Sequence, residues 1–247
     1  MHIEYALWTE AWERFLPRLE SLINEINPSR VCELGAGANP ALTLEFVRER
    51  NLDYTLLDVS PDELNKAPAG YQRILTDLAA PALDVREDYD LAFSRMLAEH
   101  VSDPYVFHRN VHRLLRPGGK AFHFFPTLYA LPFVLNRVVP ERLTRWVLAA
   151  VQSGREAEGE HGKFRAYYRW CRGPTRRQFE RLEAVGFRVE EYVGFFGDGY
   201  FERLPPLQRG SDALARFLVE RPLPSITSYA FVVLEKSKAA ANPLDTS

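Results

Sequence analysis

The chain has 247 residues, and its 31 lysines and arginines nearly balance 33 aspartates and glutamates, leaving a formal net charge of −2. That balance argues against a protein whose whole surface grips nucleic acid, so any anion site must be local. A hydrophobic content of 46% is ordinary for one large globular domain, and the two cysteines, Cys32 and Cys171, are too few and too far apart for a disulfide framework or a C-x-x-C metal site. The expected compartment is a reducing cytoplasm.

Residues 1–27 mix charged with apolar positions, unlike a secretory leader. Tyr5, Trp8, Trp12, Phe15, Leu19, Leu22 and Ile26 recur at three- and four-residue spacing, which predicts an N-terminal helix ending before Pro28. Strands are then predicted at 30–34, 53–58, 72–76, 89–94 and 120–125, with helices at 40–50, 61–66 and 103–116 between some of them. Such alternation favours right-handed βαβ crossovers and a mostly parallel sheet. Pro117-Gly118-Gly119 closes the last helix and feeds the fifth strand, so this core is expected to span 28–126.

Residues 127–173 break the alternation and read as an inserted lid. From 174 to 236 the sheet is completed. Thr175 is placed to cap a helix carrying Phe179, Leu182 and Val185, Gly186 ends it, a strand follows from Phe187 to Phe196, a helix lies near 211–220, and a last strand covers 226–234. Residues 237–247 are small and polar, an expected disordered tail. The fold class is therefore α/β, with seven strands flanked by helices and a lid after the fifth. No apolar run reaches the ~20 residues that span a bilayer.

One segment carries chemistry: Arg30-Val31-Cys32-Glu33-Leu34-Gly35-Ala36-Gly37-Ala38-Asn39-Pro40. A strand runs into two glycines one residue apart, then into a proline suited to a helix's first turn. Backbone N–H groups at such a turn can hold a polar ligand. Pro40 stands where the G-x-G-x-x-G fingerprint needs its last glycine, which weakens a dinucleotide reading. Glu33 precedes the first glycine, and Asp58 ends the next strand, where a carboxylate can accept both hydroxyls of a ribose. The pattern calls for a cofactor with a ribose and no pyrophosphate.

With these residues the chain resembles the class I S-adenosylmethionine-dependent methyltransferases, particularly their broad small-molecule group, over residues 28–126. The resemblance implies a Rossmann-like sheet, S-adenosylmethionine as cofactor, S-adenosylhomocysteine as product and no metal. It implies that Glu33, Gly35 and Gly37 hold the methionine end and that Asp58 binds the ribose, with Ala36, Asn39 and Val59 as further cofactor-binding positions. Asp77 and Leu78 match the position beside the adenine, and Ser94, Arg95 and Met96 the motif beside the sulfonium. Asn39 replaces a third glycine found in many members, a change its tolerance of left-handed backbone absorbs.

Methyl transfer is an in-line displacement whose main demand is alignment, so the fold does not name the acceptor. His100, in Leu97-Ala98-Glu99-His100-Val101, is the best-placed titratable candidate, with Tyr129 and Tyr168 as further catalytic candidates. Tyr167, Tyr168 and Arg169 lie where arginines interleave with aromatics, a pattern suited to binding an anionic or aromatic substrate. Asp90 starts its strand and is expected to bind a loop; His123 is expected to be structural. His108 and His112 have zinc-like spacing, but Arg109 replaces the required glutamate, and a solvated helix face is expected instead. The expected partner is a small-molecule substrate, not nucleic acid, and the protein is expected to be a monomer or homodimer. The competing readings are an RNA methyltransferase and a non-catalytic S-adenosylmethionine-binding scaffold.

Overall fold

The computed structural model describes residues 1–128 and 165–237. Its centre is an eight-stranded sheet. In chain order the elements are β1 (His2–Leu7), α1 (Trp8–Ile26), β2 (Arg30–Leu34), α2 (Leu44–Glu49), β3 (Asp53–Asp58), α3 (Pro61–Lys66), β4 (Gln72–Leu75), β5 (Tyr89–Arg95), α4 (Pro104–Leu114), β6 (Leu115–Pro126), α5 (Arg176–Val185), β7 (Phe187–Phe196), α6 (Pro205–Glu220) and β8 (Tyr229–Lys236). The strand order is β1-β7-β8-β6-β5-β2-β3-β4. Only β8 runs antiparallel to its neighbours, β6 and β7.

The strands alternate their side chains between two apolar layers. On one face, Phe15, Leu19 and Leu22 of α1 cover Val31, Leu91, Phe93, Phe122 and Phe231. Phe15 stacks on Phe122 at 5.5 Å between centroids. On the other, Phe107, Val111 and Leu114 of α4 and Leu182 of α5 cover Cys32, Ala92, Ala121 and Val232. A fully buried Phe or Leu contributes about 1.5–3 kcal/mol, so these two layers supply most of the favourable burial. Local chemistry agrees with the element ends. Ser60, Asp103 and Thr175 accept hydrogen bonds from the backbone N–H three residues on, and Gly186 closes α5 at φ +108°.

Four expectations change. The first residues are a strand, not the start of the helix: β1 pairs in parallel with β7, which raises the sheet from seven strands to eight. The helix expected over 40–50 begins only at Leu44, because Thr43 caps it through Oγ1 and Pro40 stays in the preceding loop. α4 passes directly into β6 at Leu115, ahead of the Pro-Gly-Gly turn. α6 starts at Pro205, earlier than 211. Of the expected lid, 129–164 lie outside the described residues, as do 238–247 of the tail.

Candidate active site

The ends of β2, β3 and β5 lie side by side, and the loops that leave them surround a cavity of about 410 Å³. That volume falls in the range of small-ligand sites. The β2 loop is built on glycine. Gly35 sits at φ +66° and donates its N–H to Leu57 O at 2.7 Å, and a β-carbon there would meet Leu97 Cδ1 at 2.6 Å. Gly37, at φ +53°, donates to Asp58 Oδ2 at 2.9 Å. Left-handed backbone costs a residue with a β-carbon roughly 1–2 kcal/mol, which explains glycine at both places.

Asp58 thus begins its work on the protein's own backbone. Its other oxygen, Oδ1, accepts from Ser60 N at 2.8 Å. An ionised carboxylate has about four acceptor positions, so two remain for ligand hydroxyls. Asp77, after β4, is exposed and uses Oδ1 to accept from Ala79 N at 2.8 Å. At the β5 end, Arg95 donates to Asn39 O at 3.1 Å, with its guanidinium 5.7 Å from the Phe15 ring centroid. Met96 follows at φ +54°, pinned by its N–H to Phe124 O at 2.8 Å. Left-handed backbone on a bulky residue is a strained choice of the kind found at functional sites.

Gly35, Ala36, Gly37, Asn39, Asp58 and Val59 line the cavity, and so do Asp77, Leu78, Arg95, Met96 and His100. Two of the residues expected at the cofactor do not. Glu33 points into the core on the α1 side, where Oε2 accepts from Ala41 N at 2.9 Å and from the Tyr54 hydroxyl. Burial outweighs these bonds and pushes its carboxyl up to about 7. Ser94 points to the opposite layer, fully buried, with Oγ 2.8 Å from His123 Nδ1. Glu63, Thr76, Leu97, Ser102 and Phe107 join the lining without having been expected. Thr76 and Leu97 flank recognised motif residues, and that adjacency was the available signal.

His100 places Nδ1 3.3 Å from Arg165 O. A carbonyl only accepts, so in this contact Nδ1 carries the hydrogen; Nε2 lies 3.8 Å from Glu99 Oε1. Tyr167 and Tyr168 donate their N–H groups to Glu99 O at 2.7 and 3.0 Å, and Arg169 donates to Ser102 O at 2.8 Å. These three fasten the cavity's rim from behind and do not line it. Tyr129 lies outside the described residues. Asp90 binds a loop as expected, accepting from Ser29 N and Arg30 N at 2.8 Å each. His108 corrects an expectation: it is buried, not solvated, and stacks on Trp170 at 5.8 Å. Burial lowers its pKa to about 4. Among the described residues no cluster of three metal-ligating side chains occurs.

A glycine-built loop, a carboxylate at the end of the adjacent strand and a mostly parallel sheet with one reversed strand define the class I S-adenosylmethionine-dependent methyltransferase architecture. The chain belongs to the methyltransferase domain family, whose model matches residues 2–192. An S-adenosylmethionine-dependent methyltransferase from Mesorhizobium loti is 22% identical, with a TM-score of 0.55, covering 89% of this chain and 96% of its own. Phosphoethanolamine N-methyltransferase 2 of Haemonchus contortus, solved with S-adenosylmethionine, is 15% identical, with a TM-score of 0.53, covering 90% of this chain and 52% of its own. The [4+2]-cyclase SpnF shares the fold at 16% identity and a TM-score of 0.53, covering 94% of this chain and 83% of its own. No curated protein sequence matches the chain.

Proposed function

We propose that this protein moves a methyl group from S-adenosylmethionine to a small-molecule acceptor. The observation that carries the reading is Asp58. It is fixed by two backbone N–H groups at the wall of a glycine-built cavity and keeps acceptor positions for a ribose diol. When bound, the cofactor supplies an electrophilic methyl on a sulfonium. In this reading Gly35, Ala36, Gly37 and Asn39 admit its amino-acid end, and Arg95 is the cation beside its carboxylate. Val59 and Leu78 sandwich the base, with Asp77 accepting from its amino group. Met96 and Leu97 close the floor and keep water from the reacting centre.

Glu33 and Ser94 act from behind, the first by holding Ala41 and the second by holding His123. The reading includes a cytoplasmic location, supported by two unpaired, buried cysteines. No helix among the described residues is long and apolar enough to cross a membrane. The test is calorimetry of the pure protein with S-adenosylmethionine and S-adenosylhomocysteine, followed by a search for a one-methyl mass increase in amine, quinone, lipid, sugar and RNA pools. Saturable binding and a methylated small molecule are expected. Absence of cofactor binding sinks the reading, and a methylated RNA in place of a small molecule replaces the acceptor class.

A further inference from the structure

A second carboxylate shares the Asp58 wall of the cavity. Glu63 stands in the first turn of α3, where Pro61 fixes the entry and Ser60 Oγ accepts from Glu63 N at 3.2 Å. Its side chain lines the cavity. Glu63 Oε2 and Asp58 Oδ2 lie 3.6 and 3.8 Å from one point, the place that a β-carbon on Gly37 would occupy. Glycine leaves that point open, so the two acids face a common space. Glu63 Oε1 is held by Lys66 Nζ at 2.5 Å, three residues further along the helix. In this pair the lysine side chain is 44% exposed and the glutamate 25%, so the acid is the partner that turns inward. An ionised carboxylate has about four acceptor positions, and Lys66 occupies one.

The space between two carboxylates selects a ligand by what it can donate. Both acids only accept, so a pair of hydroxyls suits them and an anion does not. Asp58 already gives one bond from each oxygen to the backbone N–H groups of Gly37 and Ser60, which leaves it the less roomy acceptor of the two. We infer that Glu63 accepts from one hydroxyl of the cofactor's ribose beside Asp58, and that the two charges together exclude a ribose that carries phosphate. This assignment rests on the methyltransferase reading above. A phosphate monoester carries a charge of about −1.5 to −2 near pH 7 and would meet two like charges in a cavity where solvent screens them less than at an open surface. S-adenosylmethionine and S-adenosylhomocysteine have a free ribose diol and no phosphate, so both pass. Glu63 is thus a specificity residue that admits the unphosphorylated nucleoside and turns away its 2′- and 3′-phosphates.

The test is calorimetry on the full chain, first with S-adenosylhomocysteine and its 2′-deoxy and 3′-deoxy analogues. Glu63→Ala should lose about tenfold in affinity for S-adenosylhomocysteine and for one deoxy analogue, and stay within about twofold of the parent for the other, whose missing hydroxyl is the one Glu63 binds. The second series compares adenosine with adenosine 2′-monophosphate and 3′-monophosphate. Glu63→Gln, equal in shape and neutral, should narrow the parent's preference for adenosine over at least one of the phosphates by about fivefold or more. Lys66→Gln removes the ion pair and keeps the acid, so it should leave both patterns as they are in the parent. An equal loss for all three S-adenosylhomocysteine ligands, or no loss, overturns the hydroxyl contact. An unchanged preference in Glu63→Gln overturns the exclusion of phosphate, and a Lys66→Gln protein that copies the Glu63 variants reduces Glu63 to a strut of α3. Should Glu63→Ala fail to fold, Glu63→Gln is carried through both series and decides. Failure of the parent protein to bind S-adenosylhomocysteine defeats the methyltransferase reading itself, a result distinct from any change confined to the variants.

Discussion

Two carboxylates end adjacent parallel strands, and the fold gives them opposite work. Glu33, one residue from the end of β2, turns into the α1 layer and is consumed by Tyr54 and Ala41. Asp58, the last residue of β3, sits against the cavity and binds backbone N–H groups at its rim. The difference is one of strand parity and depth. A residue before the strand end is locked into the alternation of the sheet, whereas the last one escapes it where the chain turns. A carboxylate one position deeper therefore shapes the loop, and a carboxylate at the end is left facing the cavity.

The largest effect expected from this contrast is at Asp58. Asp58→Ala removes the oxygens proposed to accept the ribose hydroxyls and releases the Gly37 and Ser60 N–H groups. Hydrogen bonds to a charged group are worth about 1.5–3 kcal/mol each, so cofactor affinity should fall by roughly 100-fold or more in calorimetry. An unchanged affinity breaks the comparison at its stronger side. Next in size is Gly37→Ala. A β-carbon at φ +53° is strained by about 1–2 kcal/mol although the nearest atom, Glu63 Oε2, is an ordinary 3.6 Å away. A loss of roughly tenfold in cofactor affinity is expected, with the midpoint of thermal unfolding falling alongside.

Much of this was legible before the fold was known. Thr175 and Gly186 announced the two ends of α5, and Asp58 and Asp77 announced the cavity, because caps and strand ends depend on neighbours a few residues away. What was illegible depends on distant partners. β1 pairs with β7, which lies more than 180 residues on, and its Tyr5 fell into the helical spacing of α1. The side on which Ser94 faces was hidden because β5 is buried on both faces and so lacks a polar face to orient it. His108 looked solvated until Trp170, 62 residues later, covered it. Glu99 stood in plain view beside His100, but its burial comes from tertiary packing that spacing does not carry.

A smaller effect separates Glu33 by pH. Its carboxyl is raised from 4.5 to about 7 in the folded protein, with burial as the main cause. Between those values the folded state holds a proton that the unfolded chain has released, so this group's stabilising contribution is full below about 4.5 and falls as pH rises to 7. The span is at most about 3 kcal/mol. Glu33→Gln, neutral throughout, should flatten part of the decline in urea-unfolding free energy across that window, and Glu99, also raised to about 7, should supply another part. Cofactor affinity should change less than threefold. A loss as large as that of Asp58→Ala would return Glu33 to the binding surface.

The smallest effect belongs to Ser94, and it sharpens the same contrast on the other face of the sheet. Its hydroxyl serves His123, whose ring is wholly buried and whose pKa is depressed by that burial, which favours the neutral imidazole. Ser94→Ala leaves Nδ1 without its partner while Nε2 already accepts nothing from the described side chains. One unmet buried polar atom costs about 1–3 kcal/mol, and the small void beneath alanine adds little. Urea unfolding should register about 1–2 kcal/mol, and calorimetry should register cofactor affinity within twofold of the parent. Stability lost with affinity kept is the signature of a residue that carries the site from below. The reverse pattern would mean that the end of β5, like the end of β3, turns its side chain toward the cavity.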